Sequence, residues 1–180
     1  MKTNRLYIRP FMPRDERDFL KLSSIPSIQY ASCQPVISEE QALVYFHNRL
    51  KNPYCFAIIE KSERRFVGEI DILPVSPEKL PIFLRDRFFF EFGIRLLPED
   101  QKKGYGSEAY QFALDYIYQI AHADGAMATY YDKNRASRNL HHKMGFVDLW
   151  KSMTPKIWKA TGEPTHLITC IQLKNGASIF

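Results

Sequence analysis

A chain of 180 residues, 45% apolar and 25% charged, can bury a proper core and is read as a single domain, 1–180. It has no apolar run of about 18 residues, so no segment is suited to span a membrane, and Met1-Lys2-Thr3-Asn4 leads towards a strand without an apolar signal region. The net charge of +5 suits an anionic partner, but no basic block marks a nucleic-acid interface. Cys33, Cys55 and Cys170 are odd in number and widely spaced, which fits neither a disulfide framework nor a zinc site. Free thiols, no metal and a reducing cytoplasm are therefore expected.

Leu6-Tyr7-Ile8-Arg9 alternates apolar and polar residues and reads as a strand ended by Pro10. Pro13 to Leu22 reads as a short helix, with Phe19, Leu20 and Leu22 inward and Asp15 and Glu16 at its positive end. Ser23 to Ile37, with Pro26 and Pro35, reads as an apolar loop. Ser38-Glu39-Glu40-Gln41 is a capping box. It opens a helix to about Asn52, with Ala42, Leu43, Phe46 and Leu50 inward and His47 at the boundary. Cys55–Glu60 and Phe66–Leu73 form an antiparallel pair around Ser62-Glu63-Arg64-Arg65. Pro74–Pro81 is too proline-rich for a regular element; a connection of this length, entering the Phe88 strand, is either a functional loop beside a cleft or simply a long hairpin loop.

The chain is organised around residues 88–124. Phe88-Phe89-Phe90-Glu91-Phe92-Gly93-Ile94-Arg95-Leu96-Leu97 suits a buried strand. A polar turn, Pro98 to Gly106, precedes a helix over 105–122 with Ala109, Phe112, Ala113, Tyr116, Ile117 and Ile120 inward. Its first turn offers unpaired N–H groups, and Gly104 and Gly106 allow close approach of a ligand. The segment reads as a main-chain anion cradle, with Lys102 and Lys103 adding charge. Ala126–Tyr131 is the next strand, parallel to the first through a right-handed crossover. One of Tyr130 and Tyr131 faces the cleft and the other the core. Asn134–Met144 is a short helix closed by Gly145 as a left-handed cap. Phe146–Met153 and Thr165–Leu173 are strands joined by an irregular link, and Lys174–Phe180 is a frayed tail.

Gly104-Tyr105-Gly106-Ser107-Glu108-Ala109 formally fits the dinucleotide fingerprint, but six residues separate its first glycine from Leu97. A nucleotide P-loop would need a Lys-Ser or Lys-Thr pair that the chain lacks there. Gln101-Lys102-Lys103-Gly104-Tyr105-Gly106 instead resembles the Q/R-x-x-G-x-G/A signature of the GNAT superfamily of N-acetyltransferases. Asn134-Arg135-Ala136-Ser137 with Lys143-Met144-Gly145-Phe146 resembles the branch that acetylates ribosomal-protein N-termini. Leu6-Tyr7-Ile8-Arg9-Pro10 and Phe66-Val67-Gly68-Glu69-Ile70 are similar to that branch's opening and central strands.

The resemblance implies a mixed α/β fold with a central sheet of about seven strands, two of them parallel and splayed, and helices on both faces. It implies acetyl transfer from acetyl-coenzyme A, as co-substrate, to a primary amine in a ternary complex. The implied acceptor is a protein or peptide N-terminal α-amine. A small amine (polyamine, aminoglycoside or amino-acid-like metabolite) and a non-catalytic acyl-coenzyme A-binding protein are the alternatives. No membrane partner is expected, nucleic acid enters only through a ribosomal substrate, and the assembly is a monomer or homodimer. Main-chain groups of Leu96 and Leu97 should meet the pantetheine arm, joined by Asn134, while Gln101, Lys102, Lys103, Gly104, Tyr105, Gly106 and Ser107 take the pyrophosphate. Glu91, among phenylalanines that disfavour its charged form, is the candidate base, unless it only pairs with Arg95. The family's usual tyrosine acid is replaced by His141, which leaves Ser137 and His141 as alternative acids; helix capping is the plain reading of Ser137.

Overall fold

The computed structural model describes residues 3–31, 33, 37–159 and 161–174. Strands β1 (Leu6–Pro10), β2 (Cys55–Glu60), β3 (Arg65–Pro74), β4 (Phe89–Leu96), β5 (Gly125–Tyr131), β6 (Val147–Lys151) and β9 (Leu167–Leu173) form one sheet in the order β1-β2-β3-β4-β5-β9-β6. A separate hairpin pairs β7 (Lys156–Trp158) with β8 (Glu163–Thr165). The helices are α1 (Glu16–Ser24), α2 (Pro26–Ala31), α3 (Glu39–Lys51), α4 (Tyr105–Asp115) and α5 (Arg135–Lys143).

Period-two alternation sends the two halves of each strand to different layers. One face carries Phe90, Phe92, Ala126, Ala128 and Tyr130 and is covered by α4 through Ala109, Tyr110, Phe112 and Ala113 and by α5 through Leu140, with Phe146 just beyond it. The other face meets α1 and α3 through Phe19, Leu22, Ala42 and Phe46, with Ala57 and Ile59 from the sheet. Phe11 and Phe46 meet edge to face at 6.0 Å, an arrangement that adds to plain area burial.

Neighbouring strands are antiparallel except β4 and β5. These two pair only at Phe89–Gly125, Phe90–Ala126 and Glu91–Met127. Beyond Glu91 they part, which leaves a V-shaped split in the middle of the sheet.

Several expected boundaries shift. The loop expected over 23–37 contains α2 and ends in residues of which 34–36 lie outside the described set. The proline-rich connection after β3 forms two single 3-10 turns, Pro77–Lys79 and Ile82–Leu84. Its Val75, Leu80 and Leu84 pack on Phe89 and Met127, beneath the closed end of the split. The expected irregular link 154–164 holds the β7–β8 hairpin. The helix over 105–122 widens into a π turn at Tyr116–Ile120. That widening shifts the side-chain phase, so Ile120 is exposed rather than inward. Leu43 on α3 likewise faces outward. Ser38 caps α3 as the capping box requires, and Gly145 adopts φ +84°. The expected frayed tail lies, from residue 175, outside the described residues.

Candidate active site

Hydrogen-bond phase decides which main-chain groups line the split. Leu97 N–H donates to the Val67 carbonyl at 2.9 Å, so odd-numbered residues of this stretch are spent on β3. The even-numbered Ile94 and Leu96, and the carbonyl of Phe92, therefore turn into the split beyond the last pairing with β5. Leu96 is one of the groups that face the split, whereas the Leu97 N–H is taken by β3 and its side chain is buried on the α1 side. Ile94 and the Phe92 carbonyl are the groups that the sequence reading missed. Sheet groups of this kind can hold an extended, amide-bearing chain as a strand would.

The cradle follows directly. Gly104, at φ +86°, is the N-cap of α4, a backbone angle that favours glycine. Lys102 also has a positive φ, 60°. The N–H groups of the first turn, Tyr105, Gly106 and Ser107, have no partner within the helix, and the helix dipole favours an anion there. A Cβ at Gly106 would meet Leu140 of α5 at 3.4 Å and Leu96 at 3.7 Å, so this turn lies where β4, α4 and α5 converge.

Contacts of Arg5, Asp100 and Gln101 hold the cradle in shape. Arg5 donates to the Lys103 carbonyl at 2.8 Å, pairs with Glu108 at 3.0 Å, and lies over the Tyr105 ring. The buried Asp100 accepts two bonds from Arg65, at 2.5 and 2.8 Å, which hold its carboxyl below the usual carboxylate range. Lys103 donates to Asp100 at 3.1 Å, so its charge is spent within the loop, whereas Lys102 stands exposed. Gln101 turns back to the Leu96 carbonyl at 3.1 Å and so bridges the cradle to the split. The roles of Arg5 and of the Arg65–Asp100 pair have no local signal in the sequence, since Glu108 and Arg65 lie far away along the chain.

On the α4–α5 face, Asn134 caps α5 by accepting from Ser137 N–H at 3.2 Å. Its amide reaches the Ala31 carbonyl at 3.5 Å. Ser137 is half-buried, with its hydroxyl 3.4 Å from His141 Nδ1. His141 is buried, with only 3% of it accessible. Its Nε2 meets the buried Tyr110 hydroxyl at 2.7 Å, and Tyr130 stacks on the ring at 5.4 Å. Burial pushes the imidazole down to about 4, so it is neutral near pH 7.

On the opposite face, Glu91 stands at the last paired rung, 3.4 Å from the Thr129 hydroxyl across the split. It does not pair with Arg95. Arg95 and Arg49 both hold Glu69, and Arg49 also reaches Asp71 at 3.0 Å. Desolvation and the neighbouring Glu69 charge push Asp71 up to about 6, whereas the two arginines hold the fully buried Glu69 below its ordinary value. Glu69, Asp71, Glu91 and Arg95 thus share one face with Gly93, where an added Cβ would meet nothing within 4 Å. This open floor is flanked by Asp71, which pairs with Gly93, and by Glu91 two residues away.

The mouth of this face is bounded by α2 and Cys33. The Cys33 thiol lies 3.6 Å from the Thr129 carbonyl, and burial pushes its pKa up to about 11, unlike that of a nucleophilic thiol. Trp158 of the hairpin donates to the Tyr30 carbonyl at 2.8 Å and lies against Tyr131. The two tyrosines that end β5 therefore divide: Tyr130 enters the α4–α5 core and Tyr131 the acceptor-side wall.

The fold has counterparts in known proteins. A profile described as an acetyltransferase (GNAT) domain matches residues 5–147. An uncharacterized N-acetyltransferase of Bacillus subtilis, YnaD, is 27% identical over 157 residues, covering 86% of this chain and 87% of that protein. Among solved structures, a GNAT-family acetyltransferase from Bacillus anthracis superposes with TM-score 0.77 at 23% identity, covering 96% of this chain and 97% of that one. A spermidine N-acetyltransferase from Vibrio cholerae, solved with CoA and spermine, gives TM-score 0.77 at 17% identity, again covering 96% and 97%. The seven-stranded sheet has the architecture of these structures. The chain belongs to the GNAT acetyltransferase domain family and is an acetyl-coenzyme A-dependent N-acetyltransferase.

Proposed function

We propose that this enzyme acetylates the N-terminal α-amine of a protein or peptide, by direct attack in a ternary complex. The observation that carries the proposal is the split itself. A carboxylate, Glu91, stands on one face of its apex, and a hydroxyl, Ser137, sits on the helix that covers the other. The rungs at Ile94 and Leu96, which face the split beyond the last pairing with β5, and the cradle from Gln101 to Ser107 fit a pantetheine arm ending in a pyrophosphate, with Asn134 alongside. When bound, acetyl-coenzyme A supplies the activated acetyl thioester. Glu91 accepts the proton that the ammonium must lose before it can attack, directly or through a water. Ser137 donates its hydroxyl proton as a hydrogen bond towards the departing sulfur. Cys33, with its raised pKa, has no part in the transfer. An α-amine, with a pKa near 8, is partly free at neutral pH, whereas a lysine amine near 10.4 is almost wholly protonated; a site with one carboxylate base suits the former.

One observation favours a second reading, a small cationic amine. Asp71 and Glu91 flank the open position at Gly93, more acidic than the apolar loops around the mouth suggested. The likeness to a polyamine-acetylating structure points the same way. Thiol release from acetyl-coenzyme A, followed against N-terminal peptides, diamines and lysine side-chain analogues, separates the two. Turnover confined to peptides supports the first reading; turnover confined to diamines replaces it with the second.

A further inference from the structure

Ser137 lies at the surface of a buried polar chain that its role does not explain. Behind it come His141 and then Tyr110, both sealed among Phe92, Tyr130 and Phe146. Buried polar groups in an aromatic core are costly unless they are bonded, and here each satisfies the next. The direction of the bonds follows from the acceptors. Among the described residues, the buried Tyr110 hydroxyl has no hydrogen-bond partner besides His141 Nε2, at 2.7 Å. A sealed phenol proton without an acceptor is costly, so Tyr110 donates and Nε2 accepts. A neutral ring with Nε2 bare carries its proton on Nδ1, 3.4 Å from the Ser137 hydroxyl. With Nδ1–H directed at its oxygen, Ser137 is an acceptor on that side, and its own proton is free to point into the split.

We infer that His141 and Tyr110 are positioning residues for acetyl transfer: Tyr110 fixes the imidazole tautomer, and the imidazole N–H fixes the direction in which Ser137 donates. The inference rests on the reading of Ser137 as the donor to the departing sulfur. No proton passes through His141; its ring keeps one proton throughout, and Tyr110 keeps its own. This reassigns His141 from an alternative acid to a support for the serine. Among the described residues, His142 and Asp148 are the titratable groups that act on the ring, and they meet each other at 3.1 Å at the surface.

The test is a set of kinetic variants, each first checked for acetyl-coenzyme A binding by calorimetry. Ser137→Ala should lower kcat about tenfold or more with both KM values nearly unchanged. His141→Leu should lower kcat by a similar factor, and the double variant should be no slower than Ser137→Ala alone. His141→Asn, whose side-chain N–H lies near the place of Nδ1–H, should recover most of the rate, although it packs less well than leucine in an apolar site. Tyr110→Phe keeps the ring in the core and removes only the hydroxyl. It should slow kcat less than His141→Leu does, and long-range ¹⁵N spectra should change from a single Nδ1–H tautomer to a mixture. The inference is overturned if His141→Asn is as slow as His141→Leu, or if the losses at 137 and 141 multiply. An unchanged kcat in Ser137→Ala alone would sink the serine reading, and the inference with it, which is distinct from failure at His141.

Discussion

The two faces of the split are built from different materials. On the α4–α5 face, the groups nearest the split are neutral and come largely from two helices: the first turn of α4, Asn134 and Ser137 at the start of α5, and the imidazole behind them. On the opposite face they are charged and come from separate strands and a helix: Arg49, Glu69, Asp71, Glu91 and Arg95. The first face suits a constant substrate, since main-chain groups recognise phosphate and amide without regard to side chains. The second suits an acceptor whose ammonium must meet carboxylates. Acceptor choice should therefore evolve on one face while the cofactor site stays fixed.

The largest expected effect breaks the charged face. Glu69 is wedged between two arginines with 2% of its side chain accessible. Glu69→Ala removes the buried carboxylate that Arg95 pairs with and leaves the half-buried Arg49 with Asp71 alone, and should cost about 3–5 kcal/mol of stability in urea unfolding. A cost below about 1 kcal/mol would mean that the network is solvated. Next comes the chemistry. Glu91→Gln should lower kcat about a hundredfold or more while leaving acetyl-coenzyme A affinity intact, because the two lie on different faces. A parallel loss of cofactor affinity in calorimetry would contradict that separation.

A change on the cofactor side should do the reverse. Gly104→Val, forced into φ +86°, carries strain of about 1–3 kcal/mol, so acetyl-coenzyme A should bind roughly tenfold more weakly. The acceptor KM should be little changed. The smallest effect is a pH dependence. Asp71 keeps its proton in the folded chain up to about 6, above its ordinary value near 3.8. The unfolded chain loses that proton first, so this group's contribution to stability falls as pH rises between these values and is level above them. Thermal melts of Asp71→Asn across this window should lose that portion of the slope; an unchanged slope would place the titration elsewhere.

What was legible in the sequence follows the same division. The cradle and α5 were readable because their signals are contiguous: glycine after a polar turn, then an amphipathic helix, and Asn134 with Ser137 three residues on. The parallel pair with its crossover was readable for the same reason. The strand phase was not, because whether Leu96 or Leu97 turns its N–H to the split depends on the register with β3, a partner thirty residues away. Nor was the burial of His141, which requires Tyr110 and Tyr130 to close over it from another helix and a strand. The pairing of Arg95 with Glu69 rather than Glu91 is also set across strands, since Glu69 and Arg95 are register partners. Alpha-helical periodicity placed Ile120 inward because it contains no provision for a π turn.

The central claim is that two substrates meet from opposite faces and react directly, with no acetyl group parked on the enzyme. Initial rates of thiol release, measured while acetyl-coenzyme A and the acceptor amine are varied together, test it most directly. The account predicts intersecting double-reciprocal lines, unchanged in pattern in Cys33→Ala. Parallel lines, with an acetylated protein trapped when the amine is left out, would contradict it and return Cys33 to consideration as the acyl carrier.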